Sequence, residues 1–460
     1  EATDEADDLR RQRLAKLARL AKRGVDPYPA DTGRDIDAAE VVARYDALQG
    51  AEVTVAGRIV SWRGMGRATF AHLDDGTGRI QVYFRQDVLG VEPYQQLRDL
   101  DLGDFVETTG KVFRTRTGEV TVEGRCYRLL AKALRTPPEK WHGLTDVEKR
   151  YRQRYLDLMS NPETRAIFLR RTKIISSMRR FLDQRGFLEV ETPALQPLYG
   201  GAAARPFETY HNALDRRLFL RIATELYLKR LVIGGLSKVY EIGKDFRNEG
   251  ISTKHNPEFT MMESYEAYAD YRDVMNMVEE MIPFIAVAVL GTTRLTYAGN
   301  EIELSPPWRR LSLREAIIER TGIDIEELAD RDDLYRKAVE LGIEMPPDST
   351  WGQIVDEVLS VFVEPNLIQP TFLTDYPVEL SPLAKRNRAN PRLAERFEFF
   401  IGGLELGNAF SELNDPLDQR ARFVQQTAMR ESGDEEAHVL DEDFLTALEH
   451  GMPPTGGLGI

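Results

Sequence analysis

Apolar and polar residues alternate at period two in five short segments, residues 53–62, 69–73, 79–84, 104–108 and 119–123. Such alternation predicts half-buried strands, because successive side chains on a strand point to opposite faces. Asp, Gly and Thr at 74–78 and 115–118 supply the turns. Five strands of this length within residues 52–134 suit an OB-fold, a Greek-key barrel whose open face binds oligonucleotides. Phe70 and Gln81 fall on successive strands. A ring there can stack on an unpaired base and an amide can read a base edge. Taken alone, a Phe at such a position is more often core than platform.

Before and after this segment the period becomes helical. Residues 9–23 read as a helix closed by Gly24, with Leu14, Leu17 and Ala21 in one stripe and seven Lys or Arg around it. It is either an amphipathic helix docked on the next domain or a cationic rail for RNA phosphates. Residues 136–140 mark a linker, and residues 146–159 form a helical stretch. A further helix starts at 161–164, with Pro162 in its first turn, and runs to Gln184. Its expected apolar face is Ile167, Ile174, Ile175, Met178 and Phe181, and Gly186 stops it. Residues 187–193 then read as a strand broken by Pro193.

Residues 238–246 alternate again, as do 258–268, with Gly250, Ser252, His255, Asn256 and Pro257 between them. Two antiparallel strands joined by a polar loop are expected. Period two places Arg247 and Glu249 on one face, and Phe259, Glu263 and Tyr265 together on a face. An Arg, two carboxylates, a ring and a phenol make too polar a set for a core face, since unpaired buried charge is costly. A site for a charged ligand is expected; the bland alternative is a solvated hairpin with a surface Arg247–Glu249 pair.

Two more strands surround Gly402 and Gly403, with Asn408, Phe410 and Glu412 on one parity. Glu405 has the opposite parity, so a break near Gly407 is required if Glu405 and Glu412 serve one pocket. Carboxylates brought together call for a cation such as Mg²⁺ with nucleotide phosphates; singly, each would be an exposed glutamate. Gly201 lies in a small-residue loop where backbone can approach a ligand closely, and Glu225 lies in the first turn of a helix over 223–232.

Composition narrows the class. At 460 residues, 42% hydrophobic and 30% charged, the chain fits a soluble globular protein of two or more domains. The longest apolar run, 281–290, is too short to span a bilayer and contains Pro283, so no membrane segment is expected. A single cysteine, Cys126, excludes an internal disulfide and any multi-Cys zinc site and suits a reducing cytoplasm. The net charge of −14 argues against a wholly basic nucleic-acid coat but permits a local basic patch. Glu1 is no start methionine, so a trimmed version of a longer protein is expected.

The stretch from Phe246, Arg247, Asn248 and Glu249 to His255 and Phe259 resembles motif 2 of the class II aminoacyl-tRNA synthetases. The wording from Thr224 to Glu263, and again from Arg396 to Asp415, is similar to the lysyl-tRNA synthetase family. Residues 161–193 resemble motif 1, which implies a homodimer interface. Residues 451–460 resemble the opening of motif 3, whose ATP-holding Arg would follow Ile460. The implied fold is α+β: a basic helix and linker (1–50), an OB-fold anticodon-binding domain (51–135), a linker (136–160) and a class II catalytic domain on an antiparallel sheet flanked by helices (161–460), cut within motif 3.

The resemblance implies ATP-dependent ligation of L-lysine to tRNA(Lys) through a lysyl-adenylate. It assigns Arg247 as catalytic and ATP-binding, with Glu249, His255 and Phe259 holding the rest of ATP. Gly201, Glu225, Glu263, Tyr265, Asn408, Phe410 and Glu412 are assigned to lysine, Glu398 and Glu405 to Mg²⁺, and Phe70 and Gln81 to the anticodon. The related aspartyl and asparaginyl enzymes are the nearest rivals, but their substrates need donors where this chain offers Glu225, Glu263, Glu412 and Tyr265. A non-catalytic RNA-binding paralogue is the alternative from another class.

Overall fold

The computed structural model describes residues 2–138, 144–250, 255–431 and 437–460. Ser252 of the expected loop, and residues 139–143 of the expected linker, lie outside the described residues. Two compact units are present, Glu1–Phe168 and Leu169–Ile460.

In the first unit, α1 (Ala2–Lys22) precedes β1 (Glu52–Met65), β2 (Ala68–Asp74), β3 (Arg79–Arg85), β4 (Phe105–Arg114) and β5 (Val120–Ala131). The five strands close into a barrel in the order β1-β2-β3-β5-β4. The β3–β5 pair is parallel and the others antiparallel. Val55, Ile59, Leu73, Val82, Phe84 and Val122 fill its interior. Strands β1, β4 and β5 run well past their alternating stretches. Hairpin pairing such as Met65↔Ala68 and Arg114↔Val120 continues the backbone ladder through polar residues.

Helix α1 does not bury the expected stripe. Leu14 and Ala21 are exposed, whereas Arg13 and Leu20 are buried. The reason is electrostatic: Asp99 is fully buried and needs cations, which Arg19 and Arg23 provide at 2.8 and 2.7 Å. Lys16 pairs with Asp101 at 2.6 Å, and Arg13 donates to the carbonyls of Leu102 and Ala133. Arg13, Lys16, Arg19 and Arg23 thus dock the helix, while Arg10, Arg11 and Lys22 stay exposed.

The second unit is built on an eight-stranded sheet. After α2 (Pro162–Gln184) come β6 (Leu188–Glu189), α3 (Glu225–Ile233), β7 (Lys238–Phe246), β8 (Glu258–Ala267) and α4 (Tyr271–Leu290). They are followed by β9 (Arg309–Ser312), β10 (Thr371–Thr374), β11 (Arg396–Ile401), β12 (Leu404–Ser411) and β13 (Thr455–Gly459). The strand order is β9-β10-β11-β12-β13-β8-β7-β6. The centre is antiparallel as expected, but the pair at each edge is parallel, so the sheet is mixed. One face packs on α2 and α4 through Leu182, Met275, Val278, Met281, Phe397 and Phe399.

Only the second half of the expected α2 stripe enters this core. Met178 and Phe181 are buried, while Ile167 and Ile174 are exposed. The expected single helix over 146–159 is two, Val147–Arg152 and Arg154–Ser160, broken where Gln153 leaves helical geometry at φ −118°, ψ 58°.

Candidate active site

The other face of the sheet bears a cavity of about 820 Å³. Period two on β8 aims Phe259, Met261, Glu263 and Tyr265 into it. From β12, Asn408, Phe410 and then Glu412 line the same face of the sheet on the far side of β13. The register between β11 and β12 slips at one point, where Phe399 faces Gly407 but Phe400 faces Glu405. Leu406 is the extra residue of that bulge, and the bulge returns Glu405 to the cavity side. This is the break near Gly407 that the parity of Glu405 and Glu412 demanded.

Helix α3 closes the end of the cavity with its first turn. Glu225 lines the cavity, and Lys229, one turn on, is fully buried behind it. The Lys229 ammonium is shared between Glu225 Oε1 and Glu412 Oε2. Neither Glu412 oxygen has a hydrogen-bond partner of good geometry among the described residues, and the contact of Oε2 with Lys229 is an ion pair. Glu263 accepts from the Thr224 backbone N–H at 3.1 Å and from the Tyr265 hydroxyl at 3.0 Å.

Crowding acids in a dry site shifts them all toward the neutral form. Burial, then the charges of Glu225 and Asp245, push the Glu263 carboxyl up to about 8. Burial pushes Glu412 up to about 8 as well, with Lys229 pulling the other way. Burial would lower the Lys229 ammonium, but Glu225 and Glu412 outweigh it and raise it.

Gly457 on β13 passes directly over this pair of side chains. A Cβ there would stand 1.9 Å from Glu412 Oε1 and 2.7 Å from Tyr265 Cε1, so only glycine leaves room. Gly201 reaches the cavity from its loop with φ +91°, a conformation that glycine adopts without strain.

Arg247 follows β7 directly and lines the cavity beside Phe259, its guanidinium carbon 5.1 Å from the ring centroid. Its Nε donates to the Ile222 carbonyl at 3.4 Å and its backbone N–H to the Pro257 carbonyl at 2.9 Å. Buried Arg221, next to Ile222 in sequence, pairs with Glu241 at 2.6 Å and Asp245 at 3.1 Å and donates to the Lys244 carbonyl at 2.9 Å. Burial pushes Asp245 up to about 6 against the pull of Arg221 and Arg247.

Residues 146–460 match the family model described as tRNA synthetases class II (D, K and N). Residues 53–130 match the model of the OB-fold nucleic acid binding domain. A Pelotomaculum thermopropionicum protein named lysine–tRNA ligase is 55% identical over 460 residues, covering 99% of this chain and 91% of its own length. Proteins of the same name from Carboxydothermus hydrogenoformans and Moorella thermoacetica are 55% and 56% identical, covering 99% of this chain and 93% of theirs. The chain belongs to the lysine–tRNA ligase family of class II synthetases.

In this class II synthetase the residues assigned from the sequence fall into two groups. Gly201, Glu225, Arg247, Phe259, Glu263, Tyr265, Glu405, Asn408, Phe410 and Glu412 all line one cavity, although they come from 212 positions of chain. Glu249, His255 and Glu398 are not in that lining. Glu249 and His255 flank the four residues outside the description. Glu398 points to Tyr376, whose hydroxyl donates to it at 2.7 Å, and to Arg396.

Arg396 and Lys229, with Asp356 and Glu379 of the lining, are charged residues that sequence reasoning missed. Arg396 also donates to Asn408 Oδ1 at 3.2 Å and lies over the rings of Tyr376 and Phe410. The signal for Lys229 was its helical spacing of four from Glu225, which a surface pair would share.

On the barrel, Phe70 and Gln81 stand on the outer face, since Ala71 and Val82 beside them point inward. Phe70 is half-buried and stacked on Tyr83, with centroids 4.3 Å apart. The Gln81 amide donates to Glu119 at 2.6 Å and accepts from Thr121 at 2.9 Å. Phe70 is therefore neither a core residue nor an isolated platform, but one layer of a ring stack.

Proposed function

We propose that this chain joins L-lysine to tRNA(Lys) at the expense of ATP, in two steps at the cavity of the second unit. The observation that carries this reading is the cavity end where Glu225, Glu263, Glu412 and Tyr265 meet, opposite Arg247. Acceptors at one end and a guanidinium at the other suit a substrate with two ammonium groups and a carboxylate. An acidic side chain would meet three carboxylates at that end, Glu225, Glu263 and Glu412.

In the first step a lysine carboxylate oxygen attacks the α-phosphorus of ATP, the bond to the β-phosphate oxygen breaks, and pyrophosphate leaves with that electron pair. No general base is needed, because the attacking carboxylate is already ionised at neutral pH. The step needs alignment and charge neutralisation. Arg247 suits both: its planar fork can bridge the lysine carboxylate and the α-phosphate. Phe259 would stack on adenine, with Glu249 and His255 holding the rest of the nucleotide. Glu263 and Glu225 take the α-ammonium, and Glu412 with Tyr265 takes the side chain. In the second step a 3′-terminal ribose hydroxyl of the tRNA attacks the lysyl carbonyl, its proton is released, and AMP departs.

Mg²⁺ fits the residues present. Glu405 opens into the cavity, and its depth there, followed by the like charge of Glu398, pushes its carboxyl up to about 8. A carboxylate pair so disfavoured gains from a divalent cation, and Mg²⁺ takes one or two carboxylates with its remaining ligands from phosphates and water. Glu405 would hold it, joined by Glu398 once that carboxylate is released from Tyr376 and Arg396, and it would neutralise developing phosphate charge when bound.

The outer barrel face bearing Phe70 and Gln81 supports anticodon recognition. The exposed Ile167, Leu169 and Ile174 of α2 support a homodimer contact. No described helix is long and apolar enough to cross a membrane, which accords with a cytoplasmic enzyme. The test is ATP–pyrophosphate exchange with each amino acid in turn, followed by tRNA charging. Exchange driven by lysine and followed by charging of tRNA(Lys) is expected. Exchange without preference for lysine overturns the reading.

A further inference from the structure

The lysine end of the cavity contains a cation that belongs to the protein. Lys229 has no solvent exposure, and its ammonium bridges Glu225 Oε1 and Glu412 Oε2 from behind the cavity wall. It also lies 6.0 Å from the Tyr265 ring centroid. Buried lysines are rare unless paired, and this one is paired with two carboxylates that the cavity presents to its ligand.

Three carboxylates, Glu225, Glu263 and Glu412, crowd this end of the cavity, and Lys229 is the cation that pairs directly with two of them. Without Lys229 the mutual repulsion of the acids would be uncompensated at that point, and protonation of an acid would relieve it.

We infer that Lys229 is a positioning and specificity-determining residue: it holds Glu412 by an ion pair at Oε2 and favours its ionised form, leaving Oε1 to accept the substrate's side-chain ammonium. The inference rests on the reading of this cavity as the lysine site. Lys229 occupies one side of Glu412 permanently, so the other side is left for one further cation. It also fixes Glu225, so both acceptor carboxylates share one anchor.

Every charged group facing Lys229 enters the argument. Glu225 is on its own helix, Glu263 and Tyr265 come from β8, Glu412 follows β12, and Arg396 of β11 acts on Glu225. His438, from the segment before the helix Glu442–Glu449, is the remaining neighbour. Burial and then Lys229 push it down to about 4, so it is neutral when the carboxylates titrate. Glu412 already sits at about 8 with Lys229 in place, and removing the cation moves it further up.

The experiment is lysine-dependent ATP–pyrophosphate exchange by the whole chain and by K229M, read as KM for lysine and for ATP between pH 6.5 and 10. In the unaltered protein, lysine KM should improve as pH rises toward about 8. In K229M it should be at least about tenfold higher at pH 7, with the improvement displaced upward by about one pH unit or more. The free substrate's own ammonium groups, the α-ammonium first and the side-chain one near 10.4, then truncate it. ATP KM should stay within about twofold, because the nucleotide end is untouched.

K229R keeps the charge, since a guanidinium stays protonated throughout. It should retain the unaltered pH profile even where its bulk raises KM at every pH. A K229M profile that superimposes on the unaltered one overturns the inference. If K229M does not fold, K229R decides alone, and a displaced profile there overturns it. Absence of lysine-dependent exchange in the unaltered protein would instead defeat the reading of the site itself.

Discussion

Replacing Gly457 by alanine probes the narrowest fit in the cavity. The new Cβ would lie 1.9 Å from Glu412 Oε1, where real Cβ contacts essentially never fall below 3.0 Å. Something must retreat by about 1.1 Å. Strand β13 cannot do so freely, because Gly457 sits between Tyr265 and Phe410 in the ladder. The strand is also tied at both ends: Met262 and Ile460 exchange backbone hydrogen bonds of 2.8 Å, and Glu412 N–H donates to Thr455 at 2.8 Å. The Glu412 carboxylate is the softer partner. Turning it away from the methyl also turns Oε2 away from Lys229. Overpacking of this kind costs about 1–3 kcal/mol. If that falls on lysine binding, affinity drops by about 5- to 150-fold. Calorimetric titration of lysine and of ATP into both proteins, with thermal unfolding as a control, measures it. Lysine binding should weaken in G457A while ATP binding holds within about twofold. Lysine affinity equal to that of the unaltered protein would refute the reasoning, whether or not the melting temperature falls.

Three further outcomes are expected. Glu412→Gln should abolish lysine-dependent exchange while leaving ATP binding intact, since breaking a buried charge pair costs about 3–5 kcal/mol; unchanged exchange removes Glu412 from the side-chain site. Phe70→Ala should weaken tRNA charging, by about 1–3 kcal/mol for a lost base–ring stack, without slowing lysyl-adenylate formation. Because Phe70 also stacks on Tyr83, lowered stability with unchanged charging would reduce it to a structural ring. Glu263, at about 8 when folded against 4.5 as the ordinary value, holds its proton more tightly in the native state. Its contribution is therefore fully present below about pH 4.5 and is lost as pH rises to about 8. The stability of E263Q relative to the unaltered, ligand-free protein should accordingly grow between pH 5 and 8 in denaturant titrations, and a pH-independent difference would contradict the burial of Glu263.

Periodicity alone determined which residues share a face. It put Phe259, Glu263 and Tyr265 together on β8 and showed that Glu405 and Glu412 need a break near Gly407 to meet. It also located the five barrel strands, because alternation is a local property of the chain. What it could not fix is which face is buried and against what. The α1 stripe was read as Leu14, Leu17 and Ala21, but the buried Asp99 turned Arg13 and Leu20 inward instead. Ile167 and Ile174 carry the same apolar signal as Met178 and Phe181, yet only the latter two meet the core of the second unit. Lys229 looked like any surface lysine one turn from a glutamate. Its meaning depends on Glu412, 183 positions later, arriving on the other side of its ammonium. Register between strands and the burial of a helix face depend on contacts distant in the chain, and those exist only once the sheet has closed around the cavity.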